Sequence, residues 1–411
     1  MDLLIDRVAG LDVHRDSVMA CVRIPKEGKR TRASETRQFG TTTSELRLLA
    51  SWLDEMDVTD VAMEATGIYW KPVFAILEHD FEVTLVNAAH MKNVPGRKTD
   101  VADAAWIAQL AEHGLLRASF IPPPDIRQLR NLTRYRRTLV NERTRVTQRL
   151  EKVLQDAGIK LTSVASTVLS KSGRAILEAL IVGERDPAVL AELAKGRLRP
   201  KIPALREALE GRFDHHHAVI AAQGLAHVDG LERAIVNVTI EIDRLLEPHE
   251  WAIQLLDTIP GVDRKTAQVI LAEIGVDMAP FPTAGHLASW AGVCPGNNES
   301  AGKRGKTTVR PGSPWLRQAL VEAAWAAARV RNSYLSQRHA RIRARRGKQR
   351  AVVATGHAIL VASWHILSSR TPFAELGPDY YNRRHSPEAE TRRLLRRLEA
   401  LGHQVSITPA A

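Results

Sequence analysis

The chain has 411 residues, 58 Lys+Arg against 46 Asp+Glu and a formal charge of +12, room for two or three domains with a basic balance that points to a polyanionic partner. Its 44% hydrophobic and 25% charged content excludes a disordered chain, and charges break every apolar run before the ~18 residues of a membrane span. Cys21 and Cys294 stand far apart, which excludes a disulfide framework and a cysteine zinc site, and Met1-Asp2-Leu3-Leu4-Ile5-Asp6-Arg7 lacks the order of a secretion signal. An intracellular protein with no membrane partner is expected.

Residues 8–13 and 17–22 are short β-branched runs on either side of His14-Arg15-Asp16 and predict a hairpin, with a third, edge-like strand near 36–39. Residues 44–56 set Leu46, Leu49, Trp52 and Leu53 on one helical face. A buried strand is expected over 58–63, a helix over 71–79 with Pro72 in its first turn, and a strand over 81–86. The next helix, 100–113, turns Ala104, Ile107, Ala108 and Ala111 inward. Residues 1–120 therefore predict an α/β domain whose mixed sheet begins with hairpins and continues by β-α-β crossovers.

Ile121-Pro122-Pro123-Pro124 breaks this pattern. Residues 125–157 read as one long helix, with a narrow apolar stripe from Leu129 to Leu154 opposite a basic face, as in a coiled coil. Shorter helices follow, then a second long helix from about 231 to 246. A helical coiled-coil and dimerisation segment is expected over 125–250, a mainly α domain over 251–375, and a basic tail over 376–411.

Two stretches hold the excess charge. Nine Lys or Arg between 127 and 152 face only Glu142 and Glu151, and fourteen between 303 and 350 face only Glu322. Arginine dominates both, and its planar fork suits phosphate. Arg130, Arg134 and Arg137 in the first run, with Lys303, Arg304, Lys306 and Arg310 in the second, are the candidate nucleic-acid contacts. Solvated helix faces are the plain alternative.

Four carboxylates carry the candidate chemistry. Asp12 interrupts an apolar strand, Glu64 closes another, and Asp100 and Asp103 stand at i and i+3 at the opening of a helix. Together they would form an all-oxygen site suited to Mg²⁺ or Mn²⁺, and two such ions clamp a phosphate for in-line phosphodiester cleavage. Three of them also have a structural use, since Asp100 can cap a helix, Asp103 can favour its positive end and Glu64 can turn into a loop, whereas a mid-strand Asp12 has few.

Further on, Thr258-Ile259-Pro260-Gly261-Val262-Asp263 resembles the hairpin of helix-hairpin-helix DNA binders, with Asp263 where a second glycine is usual. A plain helix-turn-helix packing unit fits it as well. Ser300 lies in a Gly-, Asn- and Lys-rich loop, where it is a nucleophile or a conformational filler. His215-His216-His217 lacks metal-site spacing and reads as part of a solvated helix.

Gly10-Leu11-Asp12-Val13-His14, Met63-Glu64-Ala65-Thr66-Gly67-Ile68-Tyr69-Trp70 and Lys98-Thr99-Asp100-Val101-Ala102-Asp103-Ala104 resemble the N-terminal motifs of the DEDD transposases of bacterial insertion sequences, the IS one-ten and Piv-invertase family. Ile259-Pro260-Gly261, Ser300-Ala301-Gly302 and Gly312-Ser313-Pro314-Trp315-Leu316-Arg317 are similar to that family's C-terminal transposase domain. The resemblance covers roughly residues 5–115 and 251–370. It implies a RuvC-like, RNase H-like N-terminal domain in which Asp12, Glu64, Asp100 and Asp103 hold two Mg²⁺ or Mn²⁺ ions. Ser300 would be the serine that forms a covalent phosphoserine link to DNA. Implied partners are double-stranded DNA at element ends and target, a structured non-coding bridge RNA, and further copies of the chain as a dimer or tetramer. The implied place is the bacterial cytoplasm, at the nucleoid.

The acidic set and the serine lie almost 200 residues apart in the sequence, so the serine of one protomer is expected to meet the metals of another. Two other readings stay open: a RuvC-like, metal-dependent, structure-selective endonuclease without a covalent step, and a non-catalytic nucleic-acid-binding protein.

Overall fold

The computed structural model describes residues 3–26, 32–64, 67–86, 100–294, 299–300, 303–304, 309, 311–383 and 387–406. They fall into two compact units, Met1–Ile121 and Pro122–Ala411.

The first unit runs β1 (Val8–Val13), β2 (Ser17–Pro25), β3 (Arg32–Gly40), α1 (Thr43–Glu55), β4 (Asp60–Glu64), α2 (Trp70–Leu77), β5 (Glu82–Val86) and α3 (Asp100–Glu112). Its sheet has the order β3-β2-β1-β4-β5. β2 is antiparallel to β1 and β3, while β4 is parallel to β1 and β5. This is the mixed sheet expected from the sequence, with each strand within a few residues of its expected place.

All six residues of β1 are buried, as a central strand covered on both faces requires. Ala9, Leu11 and Val13 point to one face, where they join Val61 and Met63, Leu46, Leu49, Trp52 and Leu53 of α1, and Val73, Phe74 and Leu77 of α2. Each of these larger side chains stabilises the fold by about 1.5–3 kcal/mol when fully buried. Val8 and Ala62 point to the other face and meet Ile107 and Ala111 of α3. At the far end of α3, the buried carboxylate of Glu112 accepts two bonds of 2.9 Å from the Arg23 guanidinium of β2. A negative group at a helix C-terminus opposes the helix dipole, and the arginine offsets this while tying α3 to the sheet.

The regular elements of the second unit are, among the described residues, helices and one hairpin of two-residue strands. Its helices are α4 (Pro124–Asp156), α5 (Leu161–Val164), α6 (Lys171–Ile181), α7 (Pro187–Glu192), α8 (Ile202–Leu209) and α9 (His215–Leu246). There follow α10 (Glu250–Asp257), α11 (Arg264–Ile274), α12 (Ala284–Trp290), β6 (Glu299–Ser300), β7 (Lys303–Arg304) and α13 (Pro314–Ala327). The chain ends with α14 (Tyr334–Arg346), α15 (Lys348–Ser369), α16 (Tyr380–Arg383) and α17 (Pro387–Ala400).

The two long helices α4 and α9 pack on each other, and Leu139, Val146, Leu150 and Leu154 share a core with Ala221, Leu225, Val228 and Leu231. α9 begins sixteen residues before the expected start at 231, and Gly224 within it is a point of close contact with α4. A Cβ there would lie 2.5 Å from Leu150 Cδ2. α4 also packs on α11, so the expected boundary at 251 lies inside one compact unit. Contrary to the expectation that charge interrupts every such run, α15 is long and apolar enough to span a membrane by length and composition, with no Asp, Glu, Lys or Arg between Arg350 and Arg370, and half of that stretch is buried against its neighbours.

Candidate active site

Parallel pairing of β1 and β4 sets Leu11 beside Met63. The next residues, Asp12 and Glu64, therefore stand side by side near the carboxyl ends of adjacent strands. Side chains alternate along a strand, so Asp12 shares the face of Val8 and Gly10, and Glu64 the face of Ala62. That is the face covered by α3.

The path of α3 is set by close contact. A Cβ on Gly10 would lie 2.3 Å from both Ala104 O and Ala108 N, so only glycine lets helix and strand approach this closely. Val8 lies against Ile107 and Ala111, so α3 runs antiparallel to β1 and its first turn, Asp100 to Asp103, comes to the Asp12 end. Gly10→Ala is expected to cost about 1–3 kcal/mol through overpacking, read as a lower urea midpoint with an unchanged slope.

Asp12 is 6% exposed, and its Oδ2 lies 3.2 Å from Nε2 of the half-exposed His14. Asp103 is half-buried, and the Asp100 side chain lies outside the described part of the structure. The donor chemistry fits a divalent cation: carboxylates from two strand ends and one helix start on a shared face, all hard oxygen donors. His14 was not among the candidate site residues from sequence; its place two residues beyond Asp12, where the turn to β2 opens, was the available signal.

Ser300 belongs to the second unit. It is on β6, and its backbone pairs with Lys303 on antiparallel β7. The side chains of Ser300, Lys303 and Arg304, and all of Lys306 and Arg310, lie outside the described residues.

The candidate arginines of α4 are engaged within the unit. Arg134 makes a two-pronged pair with Glu273 of α11, at 2.7 and 2.9 Å. Arg130 donates to the Ala272 and Glu273 carbonyls at 3.1 and 2.6 Å. Arg137 pairs with Glu322 of α13. Buried Arg136, not singled out from sequence, donates to Gln268 Oε1 at 2.8 Å. These contacts join α4 to α11 and α13 and account for the charges without a phosphate.

The 258–263 hairpin is likewise explained by packing. Gly261 has φ +88°, and a Cβ there would lie 2.3 Å from Ala327 N on α13. Asp263 caps α11, accepting from the Thr266 N–H at 2.8 Å and the Thr266 hydroxyl at 2.6 Å. Burial pushes its carboxyl up, but the Thr266 bonds outweigh this and hold it below the usual carboxylate range. A carboxylate thus takes the anion's place at this helix start, favouring the packing reading over phosphate capture.

His217, expected on a solvated face, is 4% exposed. Its Nδ1 accepts the Asp214 N–H at 3.0 Å, so the ring proton sits on Nε2 and is donated to Asp156 Oδ2 at 3.1 Å. Asp156, His216 and His217 place ligand-type atoms within 4.8 Å of one another. A metal on His217 Nε2 would displace that proton while Nδ1 remains committed as an acceptor. The group therefore acts as a pin between α4 and α9.

The DEDD_Tnp_IS110 model, described as a transposase, matches residues 9–159, and the model described as "Transposase IS116/IS110/IS902 family" matches residues 253–340. The chain belongs to the IS110 family of transposases. It is similar to the insertion element IS110 uncharacterized 43.6 kDa protein of Streptomyces coelicolor, 30% identical over 253 residues, which are 56% of this chain and 61% of that relative. The chain thus covers less than two thirds of that relative's length. The transposase for insertion sequence element IS1111A of Coxiella burnetii is 24% identical over 378 residues, 89% of this chain and 91% of the relative. In this IS110-family chain, the first match holds Asp12, Glu64, Asp100 and Asp103, and the second holds Ser300.

Proposed function

We propose that this IS110-family chain is a transposase that cuts and rejoins DNA with two kinds of group: a divalent-metal site of Asp12, Glu64, Asp100 and Asp103, and the hydroxyl of Ser300. The reading is supported above all by the in-register strand ends Asp12 and Glu64, on the face whose covering helix opens with Asp100 and Asp103.

The four carboxylates would hold Mg²⁺ or Mn²⁺, as two ions, which when bound supply Lewis-acid stabilisation of charge on the phosphate. His14, donating to Asp12, orients that carboxylate. Arg23 and Glu112 hold α3 down at its other end and so keep Asp103 at the site. Ser300 Oγ would attack phosphorus: an O–P bond forms to the serine, the bond to one strand's oxygen breaks, and the hydroxyl proton ends on that leaving oxygen. The exchange conserves the ester, so strands are resealed by its reversal without ATP. Double-stranded DNA at element ends and target is the substrate, a structured bridge RNA is the guide, and a homo-oligomer is the working form.

The test is a protein-linked DNA strand trapped on a denaturing gel. It is expected with the intact chain and Mg²⁺, and absent with Ser300→Ala. Free DNA ends without any adduct would favour the endonuclease instead. Mixing Ser300→Ala with Asp12→Ala is expected to restore adduct formation if serine and metals come from different protomers. No restoration from two folded, assembling variants would refute the shared site.

A further inference from the structure

We infer that the corner where α14 meets α15 is a docking surface for the phosphate backbone of double-stranded DNA, gripped by Arg343, Arg345, Arg346, Lys348 and Arg350. The inference rests on the DNA-processing reading above and adds the face that holds the duplex.

The arginines of α4 point here by contrast. Their guanidinium groups face Glu273, Glu322, Gln268 and backbone carbonyls, whereas among the described residues no acid pairs with the corner. No Asp or Glu occurs in the sequence between Glu322 and Glu375. All five side chains are exposed, and among the described residues none of them makes an ion pair. Arg345 donates only to the Arg341 carbonyl at 3.4 Å, and the Lys348 ammonium lies 4.7 Å from the Trp325 ring centre.

Local helix physics explains only three of these five cations. Arg343, Arg345 and Arg346 close α14, where the negative end of the helix favours cations. The chain then turns through Gly347, at φ +82°, and starts α15 with Lys348 and Arg350. There the positive end of the helix disfavours them, and α15 has neither an acid in its first turn nor a side-chain cap. Five like charges crowded across one turn thus work against the fold, and a polyanion relieves them. The segment Arg343-Ala344-Arg345-Arg346-Gly347-Lys348-Gln349-Arg350 carries no aromatic ring on which an unpaired base would stack, so the duplex backbone fits better than a single strand.

The test measures affinity of the full chain for a 30-bp DNA duplex of arbitrary sequence, with chelator present so that cleavage plays no part, from 50 to 200 mM KCl. Each lost phosphate contact lowers the salt slope by about 0.9. Arg343→Gln/Arg345→Gln/Arg346→Gln is expected to weaken binding about tenfold or more at 100 mM and to make the slope shallower by about 2–3. The matching triple Lys variant should keep the slope. Lys348→Gln/Arg350→Gln should also weaken binding and shallow the slope, without lowering the melting temperature, since it removes cations from the positive end of α15. Unchanged affinity and slope in both variants would overturn the inference. So would a loss confined to an RNA duplex of the same sequence. An intact chain that binds the duplex in this way yet forms no covalent adduct with Mg²⁺ would instead count against the chemistry proposed for Ser300.

Discussion

Asp12→Asn is expected to abolish DNA strand cleavage, by about a thousandfold or more, while leaving the protein folded. Asn has the same shape, keeps a side-chain oxygen for the His14 contact, and removes only the charge at the end of β1. The folded state loses little, because Asp12 and Glu64 stand near the ends of neighbouring strands and two carboxylates there repel each other. Metal dependence gives a readout independent of activity. Mg²⁺ at ten times its dissociation constant should stabilise the native chain by about 1.4 kcal/mol, seen as a higher melting temperature that chelator reverses. The variant should lose that increment. An Asp12→Asn protein that still cleaves DNA at the native rate would remove the metal site from the mechanism.

Glu273→Ala is expected to be the most damaging substitution in the second unit, at about 3–5 kcal/mol, measured from the urea midpoint at constant slope. Glu273 is 1% exposed, takes both prongs of Arg134, and accepts the Ser313 hydroxyl at 2.9 Å. Its loss strands Arg134 and removes an opposing charge 4.0 Å from Arg130. Burial already pushes the Arg130 guanidinium down to about 10, an effect that Glu273 opposes. Adding Arg134→Met to Glu273→Ala should recover part of the loss, since the orphaned charge is then gone. A double variant no more stable than the single one would show that the pair is not the source of the cost.

These expectations differ in how far they could be read from local sequence. The position of Asp12 in an apolar strand was legible, because alternation and β-branched residues report a buried strand without knowledge of its neighbours. The α1 face of Leu46, Leu49, Trp52 and Leu53 was legible for the same reason, since a 3.6-residue period lies within a dozen residues. The start of α9 was not: the histidines were read as helical but solvated, and only the fit of Leu150 over Gly224 and the burial of His217 show one helix running from them to Leu246. The roles of Arg130, Arg134 and Arg137 were also out of reach.

By itself, the sequence determined the α/β character of the first unit, the helical character of the second, and the chain order of the acidic residues and the serine. Periodicity and residue type carry that information within a few turns or strand repeats. Only the tertiary structure decided that Asp12 and Glu64 share a register and that Gly10 lets α3 bring its first turn to them. Only it separated arginines already neutralised from those still facing solvent. Arg134 and Glu273 stand 139 residues apart, and a pairing at that range leaves no trace in local pattern because it depends on which helix faces the fold brings together.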